Sequence, residues 1–242
     1  MTHLDTEIKT LKSSVMSMWL MVINQLEKAE KAITKKDKDL AKEIKANEKR
    51  VDAYELKINM DCENILALFS PVAVDLRFVL ASMKINYNLE RIGDYAKSIS
   101  DYTEEMSKHF DKKLFNTARI PEMFALSFTM LNDALHAFEN DDPQLVRSIF
   151  QLDDDLDLLN DKADEVICEW IQVNPTEAKD ALYLHSIIRK LERVGDQAKN
   201  IATEIIFHTE AKMLRHSKKK KILKELDHDH DQSQHKNDEN KA

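Results

Sequence analysis

Chain breakers are scarce here: two glycines and four prolines in 242 residues. Tight turns lean on those residues, which argues against a protein of many turns and rules out most β-sandwiches and barrels. Cysteine is equally rare. Cys62 and Cys168 match no ligand or redox motif, which argues against a disulfide-stapled secreted domain and predicts two buried free thiols in a reducing compartment. Long apolar runs are missing too. The longest, 15–23, is broken by Ser17 and falls well short of the ~20 residues that span a bilayer. The opening residues lack the basic-then-apolar order of a leader, so none is expected. There is no basic excess: the net charge of −8 argues against nucleic acid as a direct partner.

What remains is helix-forming material. Charged residues make up 33% of the chain and hydrophobic ones 43%, enough for a substantial core. Ile85, Leu89, Ile92, Ala96 and Ile99 step by four and three, as do Ile187, Leu191, Val194, Ala198 and Ile201. That spacing is the seam of packed, nearly parallel or antiparallel helices. Ser70-Pro71, Asp142-Pro143 and Asn174-Pro175 read as N-caps followed by proline in the first turn, with Glu177 completing a capping box on Asn174. Pro121 marks a further start, and softer boundaries place helices over about 5–34 and 37–69. Six long helices are expected.

The chain also repeats itself. Leu-Glu-Arg-Ile-Gly-Asp at 89–94 returns as Leu-Glu-Arg-Val-Gly-Asp at 191–196, an offset of 102, and each copy holds one of the two glycines. Val51-Asp52 answers Leu156-Asp157 at an offset of 105. The expected fold is all-α: two tandem three-helix bundles related by internal duplication, over 1–112 and 113–214, followed by a disordered polar tail over 215–242. That tail carries a basic run at 218–221 and a His/Asp tract at 228–231, both read as solvated.

Acids placed four residues before an aspartate include Glu48/Asp52, Glu90/Asp94, Asp153/Asp157 and Glu192/Asp196. That spacing puts both carboxylates on one helix face, ~6 Å apart, where they repel unless a cation lies between them. Asp52 and Glu90 lie 19 residues either side of Pro71, and Asp157 and Glu192 lie 18 and 17 residues from Pro175. Points equidistant from a hairpin turn face each other, so each bundle should bring two acidic pairs to one level. By heptad position the acids flank the core, which predicts a surface site. A carboxylate set suits Mg, Mn, Ca or iron, and zinc accepts it. Arg91 and Arg193 either orient the carboxylates or form ordinary surface ion pairs. The two mid-helix glycines point to close approach of a helix or of a ligand. The Glu-x-x-His of ferritin-like oxidases occurs only at Glu225 to His228, in the tail, and no nucleophile–base set or phosphate-cradling loop appears. Enzymatic activity is not expected.

These residues resemble the PhoU family. The two Leu-Glu-Arg-Ile/Val-Gly-Asp copies look like its repeated signature, and the stretch at 71–77 looks like its Pro-x-Ala-x-Asp-Leu-Arg. The resemblance runs over about residues 4–212. It implies two three-helix bundles and multinuclear iron or zinc clusters on the Glu/Asp-x-x-x-Asp motifs. It implies a cytoplasmic, often dimeric negative regulator working with the high-affinity phosphate ABC transporter and its sensor histidine kinase. The chain departs from the pattern at Tyr95 and Gln197, where histidine is usual, and at 175–180, where the first repeat's fuller stretch is lost. Two other readings stand beside this one: a metal-free helical adaptor with an acidic docking face, and a metal-dependent hydrolase or oxidase.

Overall fold

The computed structural model describes residues 2–106 and 108–212. Among them are seven α-helices and no strand: α1 (His3–Lys35), α2 (Lys38–Phe69), α3 (Ala73–Glu105), α4 (Lys112–Thr117), α5 (Ile120–Asn140), α6 (Arg147–Val173) and α7 (Ala178–Glu210). Single 3-10 turns at Pro143–Val146 and Pro175–Glu177 lead into α6 and α7. The basic run, the His/Asp tract and the expected disorder of the tail lie outside the described residues.

The helices begin where polar side chains can satisfy free amides. Thr2 and Asp5 form a reciprocal capping box on α1, and Asp37 accepts from the amides of Asp39 and Leu40 at the start of α2. The seventh helix, α4, corrects the expected six. Asp111 caps it, accepting from the amides of Lys113 and Leu114. At six residues it is too short for hydrophobic periodicity to register.

Two of the proline boundaries also need correcting. Ser70 is not an N-cap; it closes α2 in the left-handed region at φ 47°, and Pro71 follows as a stop. Asn174 gives α7 no side-chain cap. Its amide donates back to the Trp170 carbonyl at 3.3 Å. Glu177 is drawn away from any capping box by Trp170 Nε1 at 3.2 Å and Lys108 Nζ at 2.6 Å. Asp142-Pro143 does start a turn, with Asp142 accepting from the Gln144 amide.

Helices α1, α2 and α3 pack into one bundle, and α5, α6 and α7 into a second. Helices α3 and α7 form the main seam between them, so one continuous apolar core runs through both. Trp19 of α1 and Phe138 of α5, both fully buried, also meet between the bundles, with ring centroids 5.8 Å apart. Phe78 stacks on Phe138 at 5.8 Å, and His208 closes the cluster edge-on to Phe78 at 5.7 Å. Cys62 is buried as expected. Cys168 is exposed: it sits on the outer face of α6, not in the apolar seam. No helix among the described residues is long and apolar enough to cross a membrane.

Candidate metal centre

In each bundle the hairpin geometry sets an acidic pair of one helix against an acidic pair of the next. Glu48 and Asp52 on α2 share a field with Glu90 and Asp94 on α3: burial raises the Glu48 carboxyl to about 7, with Asp94, Asp52 and Glu90 adding to the shift. Glu90 is raised as well, by burial first and then by Asp94 and Glu55. In the second bundle Asp153 and Asp157 on α6 stand against Glu192 and Asp196 on α7. Burial raises Asp153, Asp157 and Glu192, and Asp196 adds repulsion to all three.

The surface placement expected from heptad position holds for only part of each set. Glu48 is 8% exposed and Asp153 only 2%. The cause lies on the facing helix. A Cβ built on Gly93 would stand 3.7 Å from Glu48 Oε1, and one built on Gly195 would stand 3.5 Å from Asp153 Oδ1. Each glycine thus leaves a notch into which the neighbouring helix lowers its first acid. Counting heptads along α2 and α6 alone misses this, because the room comes from a side chain absent on another helix.

The two notches differ in tightness. A Cβ on Gly195 would lie 2.5 Å from Cδ2 of the fully buried Leu156, whereas the nearest neighbours of one on Gly93 are Val51 Cγ1 and Gln25 Oε1, each at 3.3 Å. Ala in place of Gly in a helix contributes about 1 kcal/mol through propensity, and overpacking costs roughly 1–3 kcal/mol. Gly195→Ala should therefore destabilise the protein by about 1 kcal/mol, while Gly93→Ala should be near neutral. Urea melts of the two variants would test this; equal midpoints would rule out the difference in packing.

The carboxylates fit a hard cation. Every donor is an oxygen, and in the first cluster Glu48 Oε1 and Gln25 Oε1 are buried with no hydrogen-bond partner. Gln25 Nε2 donates to the other Glu48 oxygen at 3.2 Å. In the second cluster Asp153, Asp154 and Asp157 can each offer an oxygen within 4.8 Å of the others. Asp154 and Glu55 are members the spacing rule missed. Asp154 falls at i, i+3 from Asp157, and Glu55 acts on Glu90 from the helix opposite.

The arginines do not hold the carboxylates. Arg91 gives its hydrogen bonds to the hydroxyls of Tyr87 at 3.3 Å and Tyr95 at 2.9 Å, and reaches Glu90 only through charge. Arg193 is exposed and likewise acts on Glu192 by charge alone. The cation that does enter a cluster is Lys199, which pairs with Asp153 and, at 3.3 Å, with Asp196.

Comparison with known proteins bears on both halves. The family model described as "PhoU domain" matches residues 15–103 and again 120–205. The phosphate-specific transport system accessory protein PhoU homolog 1 of Thermotoga maritima is 29% identical over 206 residues, covering 85% of this chain and 88% of its own. The homolog of Aquifex aeolicus is 28% identical over 210 residues, 87% of this chain and 94% of its own. The crystal structure of PhoU from Pseudomonas aeruginosa superposes with a TM-score of 0.79 at 26% identity, over 86% of this chain and 99% of that one. The phosphate transport system regulatory protein PhoU from Streptococcus pneumoniae shares the fold, with a TM-score of 0.71 at 23% identity.

Proposed function

Because the chain belongs to the PhoU family, we propose that it is an accessory regulator of phosphate uptake that binds metal ions on its two acidic clusters and acts through protein partners. The observation that carries this reading is the pairing of a family match over both halves with a four-acid cluster at the same level in each bundle. The proposed ligands are Glu48, Asp52, Glu90 and Asp94 in the first bundle and Asp153, Asp157, Glu192 and Asp196 in the second. A bound cation, iron or zinc by the family resemblance and Mg or Mn by donor chemistry, would cancel like-charge repulsion and fix the spacing of α2 on α3 and of α6 on α7. The protein's own part is to hold one acid of each set in a glycine notch, where water competes poorly for the site. The proposed partners are the phosphate ABC transporter and the phosphate-sensing histidine kinase, met in the cytoplasm by a dimer of this chain, with uptake and starvation signalling damped when phosphate is plentiful.

The test is a variant with Glu90, Asp94, Glu192 and Asp196 all changed to Ala. Elemental analysis of chelator-free protein should find metal in the native chain and little in the variant. Phosphate control in cells should be lost while the helical content stays native. Normal control by the variant would sink the metal-dependent mechanism. One observation favours a second reading, a metal-free adaptor: Lys199 already balances part of the second cluster's charge. Partner binding would then weaken steeply with salt and ignore chelators.

A further inference from the structure

The two clusters are duplicates in sequence but not in surroundings. Lys97 and Lys199 occupy equivalent places, three residues after Asp94 and Asp196 at the repeat offset of 102. They point to different partners. Lys97 pairs with Asp101 at 3.3 Å, one turn along its own helix. Lys199 pairs with Asp153 and Asp196, inside the second cluster.

The sequence accounts for this. At the offset that carries Asp101 to the second repeat stands Thr203, whose hydroxyl donates to the Lys199 carbonyl at 3.0 Å and leaves the ammonium unclaimed. The residue over each glycine differs as well. Gln25 lies over Gly93 and gives its amide to Glu48, whereas Met130 lies over Gly195 and has no hydrogen to donate. Buried Asp153 is thus left to Lys199, while Glu48 keeps one oxygen unpartnered beside the equally unpartnered Gln25 Oε1. A cation entering the first cluster finds open oxygens. One entering the second must first displace an ammonium.

We propose that Lys199 is a built-in counter-cation that makes the second cluster the weaker metal site, so that the first cluster fills first and the second only when Lys199 swings out. The inference rests on the metal reading given above. It makes the two bundles respond over different ranges of metal concentration, although the fold repeats.

Mn2+ alone, counted by EPR on the full-length chain freed of metal, tests it. A Glu192→Ala/Asp196→Ala protein reports the first cluster, and a Glu90→Ala/Asp94→Ala protein the second. The first should bind Mn2+ about tenfold or more tighter than the second. Adding Lys199→Met to the protein that retains the second cluster should recover about that factor. Thr203→Asp should tighten the same site without removing the lysine, by offering it the partner that Lys97 has, and it covers the case in which Lys199→Met fails to fold. Lys97→Met should leave the first cluster unchanged. Equal affinities in the two parent proteins, with no response to Thr203→Asp, would overturn the inference and leave the metal reading standing. No binding at either cluster in any variant would overturn both.

Discussion

Truncating Trp19 to alanine should cost about 3–5 kcal/mol of folding stability and lower both bundles together. The side chain is fully buried, and it belongs to the first bundle while its partners belong to the second. Its indole N–H donates to the Leu131 carbonyl on α5 at 3.2 Å, and its ring lies against Phe138. Removing it opens a cavity where the two cores merge, and the rings around it cannot collapse far: Phe138 is already fixed by Phe78 and His208. The polar ties across the seam will not compensate. Lys12–Asp141 at 2.9 Å and Lys84–Glu204 at 3.0 Å are partly solvated, and such pairs contribute roughly 0–1 kcal/mol each. A urea melt followed in parallel by far-UV and near-UV circular dichroism checks this. One shifted, coincident transition is expected. Two separated transitions, or a loss under about 1 kcal/mol, would show that the bundles are stable independently and that the continuous core does not couple them.

Much of this architecture was legible in the residues. Hexapeptides at 89–94 and 191–196 that differ only in Ile92 for Val194 mark the duplication, and distances counted from Pro71 and Pro175 bring the acidic pairs of neighbouring helices face to face, because antiparallel helices of equal rise keep level across a turn. What escaped has a common cause. The burial of Glu48 and Asp153 depends on a glycine of the facing helix, the pull of Lys199 into the second cluster on Asp153 across from it, and the difference between Gln25 and Met130 on what a third helix presents at that level. Periodicity along one helix carries no such information. The caps at Ser70 and Asn174 failed for a local version of the same reason: competing partners, a chain reversal in one case and Trp170 with Lys108 in the other, decided what a correctly spaced side chain did. Cys168 shows the limit from the other side, an exposed residue amid apolar neighbours on a helix whose buried stripe is narrow.

Glu48→Gln should stabilise the metal-free protein at pH 8 by roughly 3 kcal/mol and leave it nearly unchanged at pH 4.5. The sign follows from the direction of the shift. Burial, with repulsion from Asp94, Asp52 and Glu90, raises the folded-state value from 4.5 to about 7. Below pH 4.5 the carboxyl is protonated in both states and contributes no pH dependence. Between 4.5 and 7 it ionises in the unfolded chain first, so the folded state binds the extra proton and stability falls as pH rises. Above about 7 the fold holds an ionised, largely buried carboxylate and the loss is complete. Glu90, Asp153, Asp157 and Glu192 are raised too and add slope in the same direction, so the informative quantity is the difference between variant and wild type. The isosteric amide can still accept from Gln25 Nε2 and stays neutral throughout. Urea melts from pH 4.5 to 8 in the presence of chelator supply that difference; a gap that does not change with pH would exclude a buried ionisation at Glu48. Repeating the series with Mn2+ adds a second sign. A cation favours the ionised carboxylate, so the wild type should gain more stability than the variant, and the ranking at pH 8 should narrow or reverse. On the proposed metal reading, a bound cation would relieve the repulsion that raises Glu48 in the metal-free protein.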